Sequence, residues 1–199
     1  MARTQALDYD KRRDAIMQTA ADLYAAQGFL GTSVAEIARA GAISKSLLYH
    51  YYQSKEDILF DVMDSHIEAL VEATKAVLAQ DAAPADKVRA LSARLMEVYV
   101  GAQSHQKVLL NELVNLPEAR RQAVIDHQRW LLDAVDQLVS EIRPDLAQDR
   151  ARRRATTMLF FGMLNWTHTW YDPKGPVSPP DFAAMSAETF LAGLRATAS

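Results

Sequence analysis

The 199-residue sequence contains no cysteine. Disulfides, thiolate metal sites and thiol nucleophiles are therefore excluded, and the chain suits a reducing compartment. Glycine and proline number only seven each, too few for a loop-rich or all-β protein. Long apolar runs are missing as well. The longest, Met158 to Leu164, has seven residues, far below the about 20 that span a bilayer. The opening Met-Ala-Arg-Thr-Gln-Ala-Leu-Asp has no apolar core of a secretory signal. A cytoplasmic chain with no membrane partner is expected. Catalytic signals are absent too. The histidines, His50, His66, His105, His127 and His168, form no Glu-x-x-His or His-x-x-x-His metal pair. There is no glycine-rich phosphate loop and no nucleophile elbow, so no enzyme, metal or cofactor is expected.

What is present is a helical pattern with uneven charge. Hydrophobic residues make up 49% of the chain and charged ones 24%, a composition that folds rather than stays disordered. Residues 1–55 hold seven Lys/Arg and five Asp/Glu, a net of +2, whereas the rest hold fifteen and twenty, a net of −5. A basic head on an acidic body engages phosphate with one end only. Apolar residues recur with a period near 3.6 almost everywhere. The first helix is expected over Lys11–Gln27, with Ala15, Ile16, Thr19, Ala20 and Leu23 on its inner face and Gly28 as its stop. Two short helices follow, at 33–40 and 44–51. Ser54 caps a long helix whose inner stripe is Leu59, Met63, Ile67, Leu70, Thr74 and Val77. Ala82-Ala83-Pro84 ends it, and Val88, Leu91, Leu95, Val98 and Ala102 mark the next. Further helices are expected near 105–116, 118–142, 146–171 and 180–197. The fold expected is all-α with about nine helices, divided into a three-helix head at 1–55 and a body at 56–199.

The stretch from Thr32 to Tyr52 carries the functional signal. Two helices of barely two turns are unstable alone and need the first helix beneath them. Ile37, Ala38, Ile43, Leu48 and Tyr52 fall where a helix-turn-helix packs inward. Lys45, Ser46, Tyr49, His50 and Tyr51 are left on or near the outer surface of the second short helix. These are donors and aromatic hydroxyls with no acid among them, which suits entry into a DNA major groove. Ser33 and Ser44 stand at helix N-termini, where amides and hydroxyls can hold phosphate oxygens. Lys55 opposes the dipole preference of its helix start, and an external phosphate would account for it.

This stretch resembles the TetR/AcrR-type transcriptional regulators. The resemblance runs from about Arg12 to Ile58 through Gly28-Phe29, Thr32-Ser33-Val34, Ile37-Ala38, Ser44-Lys45, Leu48-Tyr49-His50-Tyr51-Tyr52 and Ser54-Lys55-Glu56. It implies that Ser44, Lys45, Ser46, Tyr49 and His50 face bases. Thr32, Ser33, Tyr49, Tyr51 and Lys55 would grip phosphates of a double-stranded operator. Two positions depart from the pattern. The order Gly41-Ala42 reverses the usual Ala-Gly, so either Ala42 is left-handed and strained or Gly41 takes that role in a shifted turn. Tyr52 stands where phenylalanine is usual, and its hydroxyl needs a partner.

The resemblance also implies a homodimer formed by the last two helices. The all-round apolar Met158–Leu164 run and the Phe182, Met185, Phe190, Leu191, Leu194 stripe agree with that. Phe161, Leu164, Phe190, Leu191 and Leu194 are the expected interface. The Asn165-Trp166-Thr167-His168-Thr169-Trp170 segment reads either as a pocket lining with Asn165, Trp166 and Trp170 facing an amphiphilic effector, or as an interface helix with Asn165 bonding across the two-fold. Arg150, Arg152, Arg153 and Arg154 read either as a dock for ligand phosphates, led by Arg150 and Arg154, or as a solvated face paired with Asp145, Asp149 and nearby acids. The Leu47–Tyr52 run and the Asn165-Trp166…Trp170-Tyr171…Gly175-Pro176…Ser178 pattern resemble a branch that controls breakdown of phenylacetate, steroids or fatty acids. That resemblance implies an acyl-coenzyme A effector releasing a repressor from a palindromic operator. A small hydrophobic drug or metabolite is the alternative effector. A helical protein-interaction module is the alternative role.

Overall fold

The computed structural model describes residues 2–196, with side chains described from Tyr9 to Ala196. Thr197 and the side chains of the first eight residues, on which parts of the expectation fall, lie outside that range. The helices are α1 (Ala2–Gln27), α2 (Val34–Ala40), α3 (Lys45–Tyr51), α4 (Lys55–Leu78), α5 (Pro84–Gly101), α6 (Gln103–Asn111), α7 (Glu118–Ile142), α8 (Arg150–Asn165), the single turn α9 (Thr167–Trp170) and α10 (Pro179–Ala196). No strand occurs among the described residues. Among the described residues the fold is all-α, nine α-helices plus the single turn α9. None of these helices is long and apolar enough to cross a membrane.

Local chemistry sets most boundaries. Gly28 ends α1 with φ +80°, the left-handed conformation open to glycine. Ser33 and Glu36 form a capping box: the Ser33 hydroxyl accepts from the Glu36 amide at 3.2 Å, and the Ser33 amide donates back to the Glu36 carboxylate at 2.8 Å. Ser54 and Asp57 exchange the same pair of bonds at 3.1 and 2.7 Å. The helix expected over 146–171 begins instead at Arg150 and breaks after Asn165. There the side chains of Thr167, His168 and Thr169 bond back to the carbonyls of Leu164, Asn165 and Trp166, competing with the helix ladder.

The chain forms two compact units. One comprises Met1–Ile67 with Ala102–Ile125, the other Glu68–Gly101 with Asp126–Ser199. Besides residues 1–55, the first unit takes in the front of α4 and all of α6. Ser104 donates to Asp22 of α1 at 2.6 Å, and His66 meets Gln106 at 2.7 Å. The inner face of α1 is Ile16, Met17, Ala20, Ala21 and Tyr24; Ala15 is exposed and Thr19 and Leu23 are half-buried. On α4 all six expected residues are buried. In the second unit α10 lies along α5, joined by Arg89 and Glu188 at 2.5 Å, and also packs on α8.

Candidate nucleic-acid interface and regulatory body

Helices α2 and α3 are joined by Gly41–Ser44. Ile37, Ala38 and Leu48 are buried beneath them, as is Tyr52. The turn is resolved in favour of Ala42: it has φ +52°, while Gly41 sits at φ −78° and ψ 3°. Three amide bonds close it, from Gly41 to Ile37, from Ala42 to Arg39 and from Ile43 to Ala38. Ser44 then caps α3, its hydroxyl accepting from the Leu47 amide at 3.1 Å. Lys45, Ser46, Tyr49 and His50 are all exposed. Positions one turn apart share a face, so these four make one outward surface free of acids.

Three of the expected phosphate contacts have partners within the chain. Thr32 is only 2% exposed, and its hydroxyl donates to the Gly28 carbonyl at 2.9 Å while accepting from Gln27. Ser33 directs both its amide and its hydroxyl to Glu36, so a phosphate at this helix start would meet a carboxylate already in place. The Ser33 backbone bond, then its hydroxyl, hold the Glu36 carboxyl below its usual range. Lys55 donates to the carbonyls of Phe29 at 2.8 Å and Thr32 at 2.9 Å, and its ammonium lies 4.0 Å from the Phe29 ring centroid. A cation at the start of α4 is thus explained within the chain.

Tyr52 has its hydroxyl buried beside the Arg13–Asp61 ion pair, without a hydrogen bond of normal geometry. Burial first, and the Asp61 carboxylate second, push its ionisation up. Tyr9, Arg13, Tyr51, Tyr52, Asp57, Phe60, Asp61 and Arg120 surround an open cleft of about 520 Å³.

In the second unit the expected interface residues prove to be core. Phe161, Leu164, Phe190, Leu191 and Leu194 are each 7% exposed or less within one chain. An apolar helix has two flanks, and periodicity alone does not say which one its own chain covers. The open flank carries Met158, Leu159, Trp166 and Met185, exposed by 52, 68, 65 and 59%. With Gly162, Met163, Trp170 and Phe182 they line a groove of about 540 Å³. Asn165 is taken by Tyr99, whose hydroxyl donates to it at 2.7 Å. It is half-buried, whereas Trp166 and Trp170 beside it are exposed. Arg154 reaches Asp133 at 2.5 Å and Asp136 at 3.3 Å on α7. Arg153 donates to the Leu146 carbonyl at 3.1 Å. Asp145 pairs first with Arg143 and also feels the charge of Arg152, and Asp149 caps α8 through the Arg152 amide. Arg150 is exposed.

The first unit also encloses a polar pair between α4 and α6. His66 is almost wholly enclosed and bonded to Gln106, with the His105 ring 6.1 Å away. Burial first, opposed by Gln106 and aided by His105, lowers the His66 pKa to about 4. Its only sequence signal is a histidine one position before Ile67 on an apolar face. No group of acids and histidines among the described residues could hold a metal ion.

Comparison with known proteins decides the class. The description "Bacterial regulatory proteins, tetR family" matches residues 16–62, and "Tetracyclin repressor-like, C-terminal domain" matches residues 81–194. The chain belongs to the TetR family. It is a DNA-binding transcriptional regulator, and its relatives are regulators rather than enzymes. The HTH-type transcriptional repressor KstR2 of Mycolicibacterium smegmatis is 24% identical over 191 residues, covering 92% of this chain and 90% of that one. A TetR-family regulator from Bordetella parapertussis is 40% identical with a TM-score of 0.87, over 90% and 93% of the two chains. AibR, crystallised with isovaleryl coenzyme A and operator DNA, is 26% identical with a TM-score of 0.78, over 89% and 97%.

Proposed function

We propose that this TetR-family protein is a homodimeric repressor that leaves a palindromic operator when an acyl-coenzyme A thioester binds its body. The observation that carries the DNA half is the acid-free surface of Lys45, Ser46, Tyr49 and His50 on α3. Tyr51 and Ser44 flank it toward the phosphates. Two such surfaces related by a two-fold meet successive major grooves about 34 Å apart. The second copy covers the open flank of α8 and α10, so Leu159, Met158, Met185 and Trp166 are the interface, and Trp170 borders it. An exposed apolar area of this kind is costly for a lone soluble chain.

An acyl-coenzyme A as the effector is supported by AibR, crystallised with isovaleryl coenzyme A and operator DNA together, and repression is supported by KstR2, a repressor. Arg154 is committed to α7 and Arg153 to the Leu146 carbonyl, so the exposed Arg150 and Arg152 are the members of the arginine cluster left for a ligand phosphate. Fluorescence anisotropy tests the reading, using a duplex enriched from random sequences by the protein itself. Isovaleryl coenzyme A should release that duplex, whereas isovalerate should not. Coupling must be reciprocal, so bound duplex should weaken thioester binding by the same factor. Equal release by acid and thioester would remove the coenzyme A reading and favour a small hydrophobic effector.

A further inference from the structure

The last turn of α3 is held from outside. The Tyr51 ring lies 4.6 Å from that of Tyr9 on α1, with planes inclined by 33°. On its other side Tyr51 meets the His50 ring at 5.5 Å and 86°. Three rings thus run in file from α1 to the exposed surface of α3. Helix α3 has seven residues, and its cap Tyr52 is already extended at φ −136° and ψ 128°. So short a helix does not fix the direction of its final side chains by itself. One turn along α1 from Tyr9, Arg13 pairs with Asp61 of α4, which ties down the face that carries Tyr9. Tyr9 is itself 41% exposed, so its ring is not there to fill a core.

We propose that Tyr9 is a positioning residue for DNA reading: it holds Tyr51, and through Tyr51 the His50 imidazole, in the orientation that meets the groove. This rests on the reading given above, in which His50 faces bases and Tyr51 the backbone. Offset aromatic pairs have a preferred geometry, and losing one corresponds to roughly a two- to tenfold loss of affinity.

The test uses the duplex that wild-type protein enriches from a random-sequence pool, together with all its single-base variants. Anisotropy is measured for wild type, Tyr9→Ala, Tyr9→Phe and His50→Ala, and melting curves are recorded for each. Tyr9→Ala should bind roughly two- to tenfold more weakly. It should also lose discrimination at the base pairs where His50→Ala loses it. Tyr9→Phe, which keeps the ring, should match wild type, and the melting temperatures of both Tyr9 variants should stay close to that of wild type. Wild-type affinity and base preference in Tyr9→Ala would overturn the proposal. So would an equal defect in Tyr9→Phe, which would assign the effect to the hydroxyl, or a weakening uniform over all base pairs. If wild-type protein enriched no duplex, the DNA reading would fall and this proposal with it.

Discussion

Replacing Ala42 by glycine should stabilise the protein. Ala42 is the one non-glycine residue with positive φ among those described, at +52°. For an L-residue that conformation costs about 1–2 kcal/mol, because Cβ crowds its own backbone. Glycine removes the crowding but adds about 0.4–1 kcal/mol of unfolded-state entropy to be lost on folding. The difference favours glycine by about 0.5–1 kcal/mol. The methyl group given up is exposed, so no packing is lost, and the amide bonds from Ala42 to Arg39 and from Ile43 to Ala38 can persist. Gly41→Ala is the matched control. Its φ of −78° suits alanine, but the new Cβ would stand 3.3 Å from the Ile37 carbonyl oxygen, so a small loss is expected. Urea denaturation followed by circular dichroism reads both. For a chain of this size the Ala42→Gly gain corresponds to a rise of about 1–4 °C in melting temperature. An Ala42→Gly variant no more stable than wild type would refute the assignment of strain to position 42.

Lys55→Ala should lower stability by about 1–3 kcal/mol, because two carbonyls lose a charged donor, while the salt slope of DNA binding stays unchanged. A salt slope reduced by about one unit with intact stability would instead make Lys55 a phosphate contact. Leu159→Glu should give a folded monomer by sedimentation, since it charges the open flank, whereas Leu191→Glu should unfold the chain, since Leu191 is 1% exposed. A dimeric Leu159→Glu protein would move the interface elsewhere. His66 gives an acid-labile term. Its folded pKa is lowered from 6.5 to about 4, so the unfolded chain takes up the proton first, and the stability present above pH 6.5 falls as pH drops toward 4. The full drop is bounded by about 3 kcal/mol. His66→Gln should flatten that part of the urea-stability profile, and an unchanged slope would show that His66 does not supply it.

Where one helix face decides the answer, the sequence was legible. The α4 stripe from Leu59 to Val77 is regular, bulky and buried throughout. In α1 the inner face was set one position off, because alanines at 15, 20, 21, 25 and 26 weaken the contrast between faces. The exposed α3 surface was readable because a seven-residue helix with one apolar anchor leaves few arrangements. Roles that depend on contacts between elements were not readable. Lys55 meets residues 23 and 26 positions earlier in the chain, and Arg154 pairs with an acid 21 positions earlier. Phe161 and Leu159 are equally apolar in sequence, and only tertiary packing assigns one to the interior and the other to the open flank.

The seat of Lys55 has a mechanical consequence. Its side chain grips the two carbonyls that lead into α2, and its own carbonyl receives the Tyr24 hydroxyl of α1 at 3.4 Å. The first residue of α4 is therefore pinned to α1 and to the entry of α2 at once. A displacement of that residue would be felt at once by the C-terminal half of α1 and by the approach to α2. These three elements are thus set up to shift as a single piece without any of them having to melt.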